Sequence, residues 1–144
     1  MEIVLKKIFL FFEKRYLILV SICVVTPLGF WCKFYDGPGK LWFNNYGGGV
    51  LYEIFWCLVF FLIRPTKKNA TRIAVAVLAV TCILETLQLW QPAFLQQIRA
   101  TFAGKALLGT TFVWWDFPHY ILGCLLAWLW MTWIVKLVGN TNPG

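Results

Sequence analysis

The sequence predicts an all-α integral membrane protein. The expected architecture is four transmembrane helices, an amphipathic N-terminal segment, and an interfacial or re-entrant segment between helices 3 and 4. Three observations lead there. Hydrophobic residues make up 60% of the 144 and charged residues 13%, against about 25% charged in an average soluble domain. A chain this short has too little interior to bury so much apolar side chain, so lipid must be the solvent. Four apolar runs are long enough, or nearly so, to cross a hydrocarbon core of about 30 Å, and the basic residues cluster beside those runs.

Taken in order, residues 1–15, "MEIVLKKIFLFFEKR", mix apolar and charged groups and suit a helix lying along the membrane surface. The first span covers 16–34, with a bend expected near Pro27 and Gly29. Thr26-Pro27-Leu28-Gly29 continues into aromatics with no small-x-small cleavage pattern, so this span reads as a retained anchor. The second span covers 48–63 and the third 73–90, with a turn-rich loop, "YDGPGKLWFNNYGGG", before the second. Residues 91–115 are too apolar for a solvated loop and too interrupted to span. Here Pro92 can start a short helix and Gly104 end it, with Leu95, Ile98 and Phe102 along one side. Trp114 and Trp115 fit the aromatic belt. The fourth span covers 117–138, where Pro118 suits the first helical turn and Asp116 can cap its free amides. The whole chain, 1–144, forms one membrane domain.

Charge placement sets the expected orientation and removes one class of partner. The net charge is +7, but Lys6, Lys7, Lys14 and Arg15 form one cluster and Arg64, Lys67, Lys68 and Arg72 another. Basic groups flanking apolar spans follow the positive-inside bias, so membrane topology rather than nucleic acid accounts for them. With both termini cytoplasmic, nine basic residues including Lys136 lie inside. Lys33, Lys40, Arg99 and Lys105 lie outside. A bacterial inner membrane, or a thylakoid-type one, is the expected location. The five cysteines, at 23, 32, 57, 82 and 124, form no CxxC or CxxH pair. They read as small buried hydrophobes, and no metal or cofactor is expected.

The acids are more informative. Glu53 lies about five residues from the outer end of the second span, near 7 Å at 1.5 Å per residue. Glu85 lies about one turn from the outer end of the third span, and Asp116 opens the fourth. All three carboxylates therefore converge on the outer leaflet, where Arg99 and Lys105 are also found. A charge at membrane depth costs on the order of 2.5–3.5 kcal/mol, less near an interface. Glu85 and Gln88 share a helix face at i, i+3. Asp116, Tyr120, Gly123 and Ala127 share another, and Gly123 with Ala127 allows close helix approach. Arg99 is expected to fold between the two faces. Such a cluster is either a neutralised clasp or a ligand site. His119, off that face, reads as an interfacial histidine, and "YGGG" at 46–49 lacks the context of a phosphate loop.

These residues carry a resemblance. Glu85-x-x-Gln88, Pro92, Arg99, Gly104, Gly109, Phe112-x-Trp114-x-Asp116 and Tyr120-x-x-Gly123 together resemble the VanZ-like superfamily. That group carries E-x-x-Q, an Arg and D-x-x-x-N/Y-x-x-G on successive helices. The likeness is closest to a small uncharacterised branch, often labelled YjgA-type, with Tyr where VanZ proteins have Asn. It covers roughly residues 83–127. Upstream, "YGGGVLY" is similar to the branch's Gly-Asp-x-Leu-Tyr, but Gly49 stands in place of the acid and the nearest carboxylate is Glu53. The resemblance implies a small polytopic membrane protein with its polar motif near one face. It implies no established reaction, and the superfamily's link to glycopeptide resistance points to an envelope or lipid-linked target.

The expected function is non-catalytic. Glu85, Gln88, Arg99, Asp116 and Tyr120 would shape an outer-leaflet site for a membrane lipid or envelope-linked anion. Arg99 would hold the anion or clasp the acids, Glu85 and Asp116 would position it, and Tyr120 would donate a hydrogen bond. The alternative is an accessory or assembly subunit of a larger respiratory or photosynthetic membrane complex. An enzyme or transporter ranks third, because the chain offers no clear nucleophile, metal triad or GxSxG and no paired broken helices.

Overall fold

The computed structural model describes residues 1–140, apart from the side chains of Glu2, Lys6, Lys7 and Asn140. Among the described residues every regular element is helical. The helices are α1 (Glu2–Phe34), α2 (Lys40–Trp42), α3 (Gly48–Phe61), α4 (Lys67–Leu87), α5 (Ala93–Ala100), α6 (Phe102–Leu108) and α7 (Asp116–Asn140), with a wider π-helical turn at Phe43–Gly47.

Helix α1 runs 33 residues without a break, which corrects the expected division between a surface segment at 1–15 and a span at 16–34. No glycine or proline precedes Tyr16, so nothing interrupts the hydrogen-bond ladder there. At 1.5 Å per residue α1 is about 50 Å long, more than the roughly 30 Å of a hydrocarbon core. Its first turns therefore overshoot the bundle. Arg15 Nη2 donates to the Ile63 carbonyl at 3.3 Å, and its guanidinium lies 4.1 Å over the Phe11 ring, tying α1 to the end of α3. The helix continues through Pro27.

Three helices, not four, are long and apolar enough to cross a membrane: α1 over Ile3–Phe34, α4, and α7 over Asp116–Gly139. The second predicted span, 48–63, is α-helical for only 14 residues, Gly48–Phe61, a rise of about 21 Å. The cause lies in the glycine run. Gly47 packs so closely on α1 that a Cβ there would lie 3.3 Å from Cys32 Sγ, and the wider turn takes up the backbone at that point. Helix α4 begins at Lys67, earlier than predicted. Thr66 caps it by accepting from the Asn69 N–H at 3.3 Å, so the basic residues ride on its first turns.

Residues 91–115 fold as two short helices rather than one. Thr101 joins them, its hydroxyl donating to the Ile98 carbonyl at 2.7 Å and accepting from the Gly104 N–H at 3.0 Å. The break falls at Thr101 and not at Gly104, which lies buried within α6. The inward face of α5 is Leu95 and Arg99, both buried, while Ile98 and Phe102 point outward.

Helix α3 is the hub, packed against α1, α4 and α7. Its Ile54, Cys57, Leu58 and Phe61 meet Ile18 and Val25 of α1, Ala74 and Val77 of α4, and Ala127, Met131 and Ile134 of α7 in one core. The closest approach is at Gly123, where a Cβ would sit 2.7 Å from both Glu53 Cβ and the Val50 carbonyl oxygen. Ala127, one turn on, is fully buried, so the small residues face α3 as a small-xxx-small stripe. The opposite faces expose Val75, Val80 and Ile83 on α4 and Leu125, Leu129 and Trp133 on α7. Helices apolar on both faces suit a lipid surround.

Candidate functional site

The last turn of α4 carries Glu85, 1% exposed. Its Oε1 accepts from the Val113 N–H at 2.9 Å, and its Oε2 accepts from Gln88 Nε2 at 3.0 Å and from the Tyr120 hydroxyl at 2.8 Å. Both oxygens act as acceptors, toward three donors in all. No cation pairs with it; the one ion pair among the described residues is Lys40–Asp36, 2.8 Å apart. Donors on both oxygens offset part of the cost of burying an acid. Gly109 makes this arrangement possible. Its φ is +66°, and a Cβ there would collide with the Gln88 amide, so the chain turns after α6 and brings Val113 back over α4.

Arg99 does not join the acids. It is 5% exposed, and its Nη1 and Nη2 donate to the carbonyls of Trp90 at 3.1 Å and Leu87 at 2.9 Å. These carbonyls lie at and just beyond the C-terminal end of α4, so Arg99 caps the helix where the dipole favours a cation. The reason is chain length. Only Gln88–Pro92 separate α4 from α5, and so short a link folds α5 back against the carbonyls rather than across to α7. Asp116 is half-buried in the first turn of α7, and its carboxylate makes no hydrogen bond to another described residue.

His119 ties α7 to the π-helical turn. Trp42 Nε1 donates to His119 Nε2 at 3.0 Å, the His119 ring stacks on Tyr46 at 4.3 Å, and Nδ1 lies 2.6 Å from the Trp115 carbonyl. An indole can only donate, so Nε2 accepts and Nδ1 bears the proton given to Trp115. Glu53 sits one α7 turn deeper, fully buried between α3 and α7. Cys124 Sγ donates to its Oε2 at 3.1 Å, and Oε1 has no partner.

Glu85, Gln88 and Tyr120 line a chamber of about 280 Å³ at this end of the bundle. Neither Arg99 nor Asp116 lines it. Its other walls include Tyr52 and Thr81, the apolar Leu84 and Leu107, the glycines Gly48, Gly49 and Gly109, and two exposed lysines, Lys33 of α1 and Lys105 of α6. Lys33 Nζ also donates to the Asn44 carbonyl at 3.4 Å. From sequence Lys33 registered only as a topology charge, Lys105 as a cation on the acids' side of the membrane, and Glu53 as an acid outside the site. The one available signal for Glu53 was the Gly123–Ala127 stripe, which has to face a partner helix at matching depth. Two apolar grooves border the chamber. One, about 590 Å³, lies between α3 and α4, and the other, about 520 Å³, between α1 and α3. Tyr52 and Leu107 line all three spaces.

A helical bundle with lipid-type outer faces and a polar chamber at one end defines a small polytopic membrane-protein class. Within it, the chain belongs to the family described as "Protein of unknown function (DUF2809)", whose model matches residues 39–124. The matched region contains every chamber residue named above except Lys33, together with Glu53 and Arg99. No curated protein and no solved structure matches the chain.

Proposed function

We propose that this chain is a non-catalytic, four-crossing membrane protein that holds an anionic group, carried by a membrane lipid or an envelope-linked molecule, in the Glu85 chamber. The observation that carries the reading is the pairing of Lys33 and Lys105 on the chamber wall with a single buried acid whose acceptors are all engaged. Glu85 and Tyr120 hold each other, so neither offers a free base or acid, and the lysines are left to face an anion. Helical dihedrals continue through Trp42, Phe43, Gly47 and Gly48, and the run Lys40–Phe61 rises about 30 Å, which supports a fourth crossing. Arg15, Arg64, Lys67 and Lys68 lie toward the opposite end. By the positive-inside bias both termini are cytoplasmic, and the chamber opens to the outer leaflet of a bacterial inner or thylakoid-type membrane. The VanZ-like resemblance supports an envelope target.

The test is purification of the full chain in mild detergent and mass analysis of bound lipid. Anionic lipid retained by the parent and lost from the Lys33→Ala, Lys105→Ala double variant supports the reading; equal retention by both overturns it. A second reading, an accessory subunit of a larger complex, is favoured by the exposed aromatics Trp90, Phe102, Trp114 and Trp115 at the chamber end. It requires a stable large particle on native purification, whereas the first requires a small one.

A further inference from the structure

We infer that the occupant is a two-chain anionic phospholipid, its headgroup in the chamber and one acyl chain in each groove; this rests on the anion-binding reading above. The chamber alone would accept a free phosphate or a single-chain lipid. The grooves argue for more. Both border the chamber, and both are lined almost wholly by apolar side chains. They lie on either side of one ridge on α3, where Tyr52 and Trp56 line both grooves and Phe60 stacks on Trp56 at 5.8 Å.

The depth also fits. Along α3 the first groove runs from Tyr52 to Phe60, about 12 Å, and along α4 from Leu84 to Ile73, about 16 Å. The second runs from Lys33 to Val25 on α1, again about 12 Å. Half a hydrocarbon core is about 15 Å, so each groove spans most of one leaflet's acyl layer. At the polar end the charges complement a phosphodiester. Lys33 belongs to both the chamber and the second groove. It is an exposed side chain long enough to keep its stem along apolar surface while its ammonium, which also reaches the Asn44 carbonyl, serves an anion. Gln88 adds an acceptor. Its Nε2 is committed to Glu85, and its Oε1, on a side chain 6% exposed on the chamber wall, has no partner. That oxygen suits a headgroup hydroxyl.

The experiment compares retention of defined probes by the full chain in detergent, using native mass spectrometry. The probes are diacyl phosphatidylglycerol, its monoacyl form, diacyl phosphatidylcholine and inorganic phosphate. Diacyl phosphatidylglycerol is expected to be held about tenfold more tightly than any of the others, the equivalent of about 1.4 kcal/mol. Two variants then fill one groove each: Ala76→Trp on α4 and Thr26→Trp on α1, both at exposed groove positions. Each should abolish the diacyl preference and leave monoacyl binding intact, with melting temperature as the folding control. Equal binding of diacyl and monoacyl probes, still dependent on Lys33 and Lys105, overturns the two-chain inference and leaves the anion site standing. Lysine-independent binding of every probe overturns both.

Discussion

Tyr120 Oη lies 2.8 Å from Glu85 Oε2 and joins the first turns of α7 to the last turn of α4 through a carboxylate that is 1% exposed. Removing the hydroxyl and altering the acid have different consequences. Tyr120→Phe leaves the acid two donors and should cost about 1–2 kcal/mol. Glu85→Gln turns one acceptor oxygen into an NH₂ group facing a donor, and should cost about 2–3 kcal/mol. Thermal unfolding in detergent ranks the two, and parent-like melting of both would show that this junction contributes nothing.

Glu53 behaves oppositely despite being as deeply buried. Cys124 donates to Oε2, the Thr81 hydroxyl lies within reach of the carboxylate, and Oε1 is unsatisfied. Glu53→Gln keeps the shape and removes an acid with an orphan oxygen, so its effect should lie within about 1 kcal/mol of zero, or be stabilising. A loss matching that of Glu85→Gln would mean that Glu53 has a partner the geometry does not account for.

Arg99→Ala uncaps α4 by freeing the Leu87 and Trp90 carbonyls and should cost about 1–3 kcal/mol. Were Arg99 instead neutralising Asp116, adding Asp116→Asn would relieve the loss. With the guanidinium on carbonyls, the two changes should add to within about 0.5 kcal/mol. Denaturation of the single and double variants measures the coupling directly.

Gly123→Ala places a methyl 2.7 Å from the Val50 carbonyl oxygen and from Glu53 Cβ. Backbone cannot yield as a flexible side chain does, so α3 and α7 must separate, at about 1–3 kcal/mol. Gly139→Ala, with open space around its Cβ position, is the control and should melt like the parent.

Orientation is read by an impermeant thiol reagent in a background whose five native cysteines are replaced. Single cysteines at Pro38 and Lys105 should react from outside and one at Lys68 should not. Labelling at Lys68 from that side would invert the bundle and move the chamber to the inner leaflet.

From sequence alone, composition and run length determined a helical chain with lipid-facing spans, because the cost of apolar surface in water is independent of fold. Helical spacing likewise put Glu85 beside Gln88 and aligned Gly123 with Ala127, since a helix brings i+3 and i+4 onto one face. The partners of those faces were decided only by the tertiary structure. Arg99 meets carbonyls because a short link folds α5 back on α4. Residues 1–15 merge into α1 because nothing there breaks the helix. Val113 reaches Glu85 because Gly109 turns the chain. Lys33 and Lys105, 72 positions apart in sequence, share a chamber wall because α1 packs on α3 and α6 on α4, the two helices between which the chamber lies. Such encounters depend on how separate segments return to one another, and no local period encodes that.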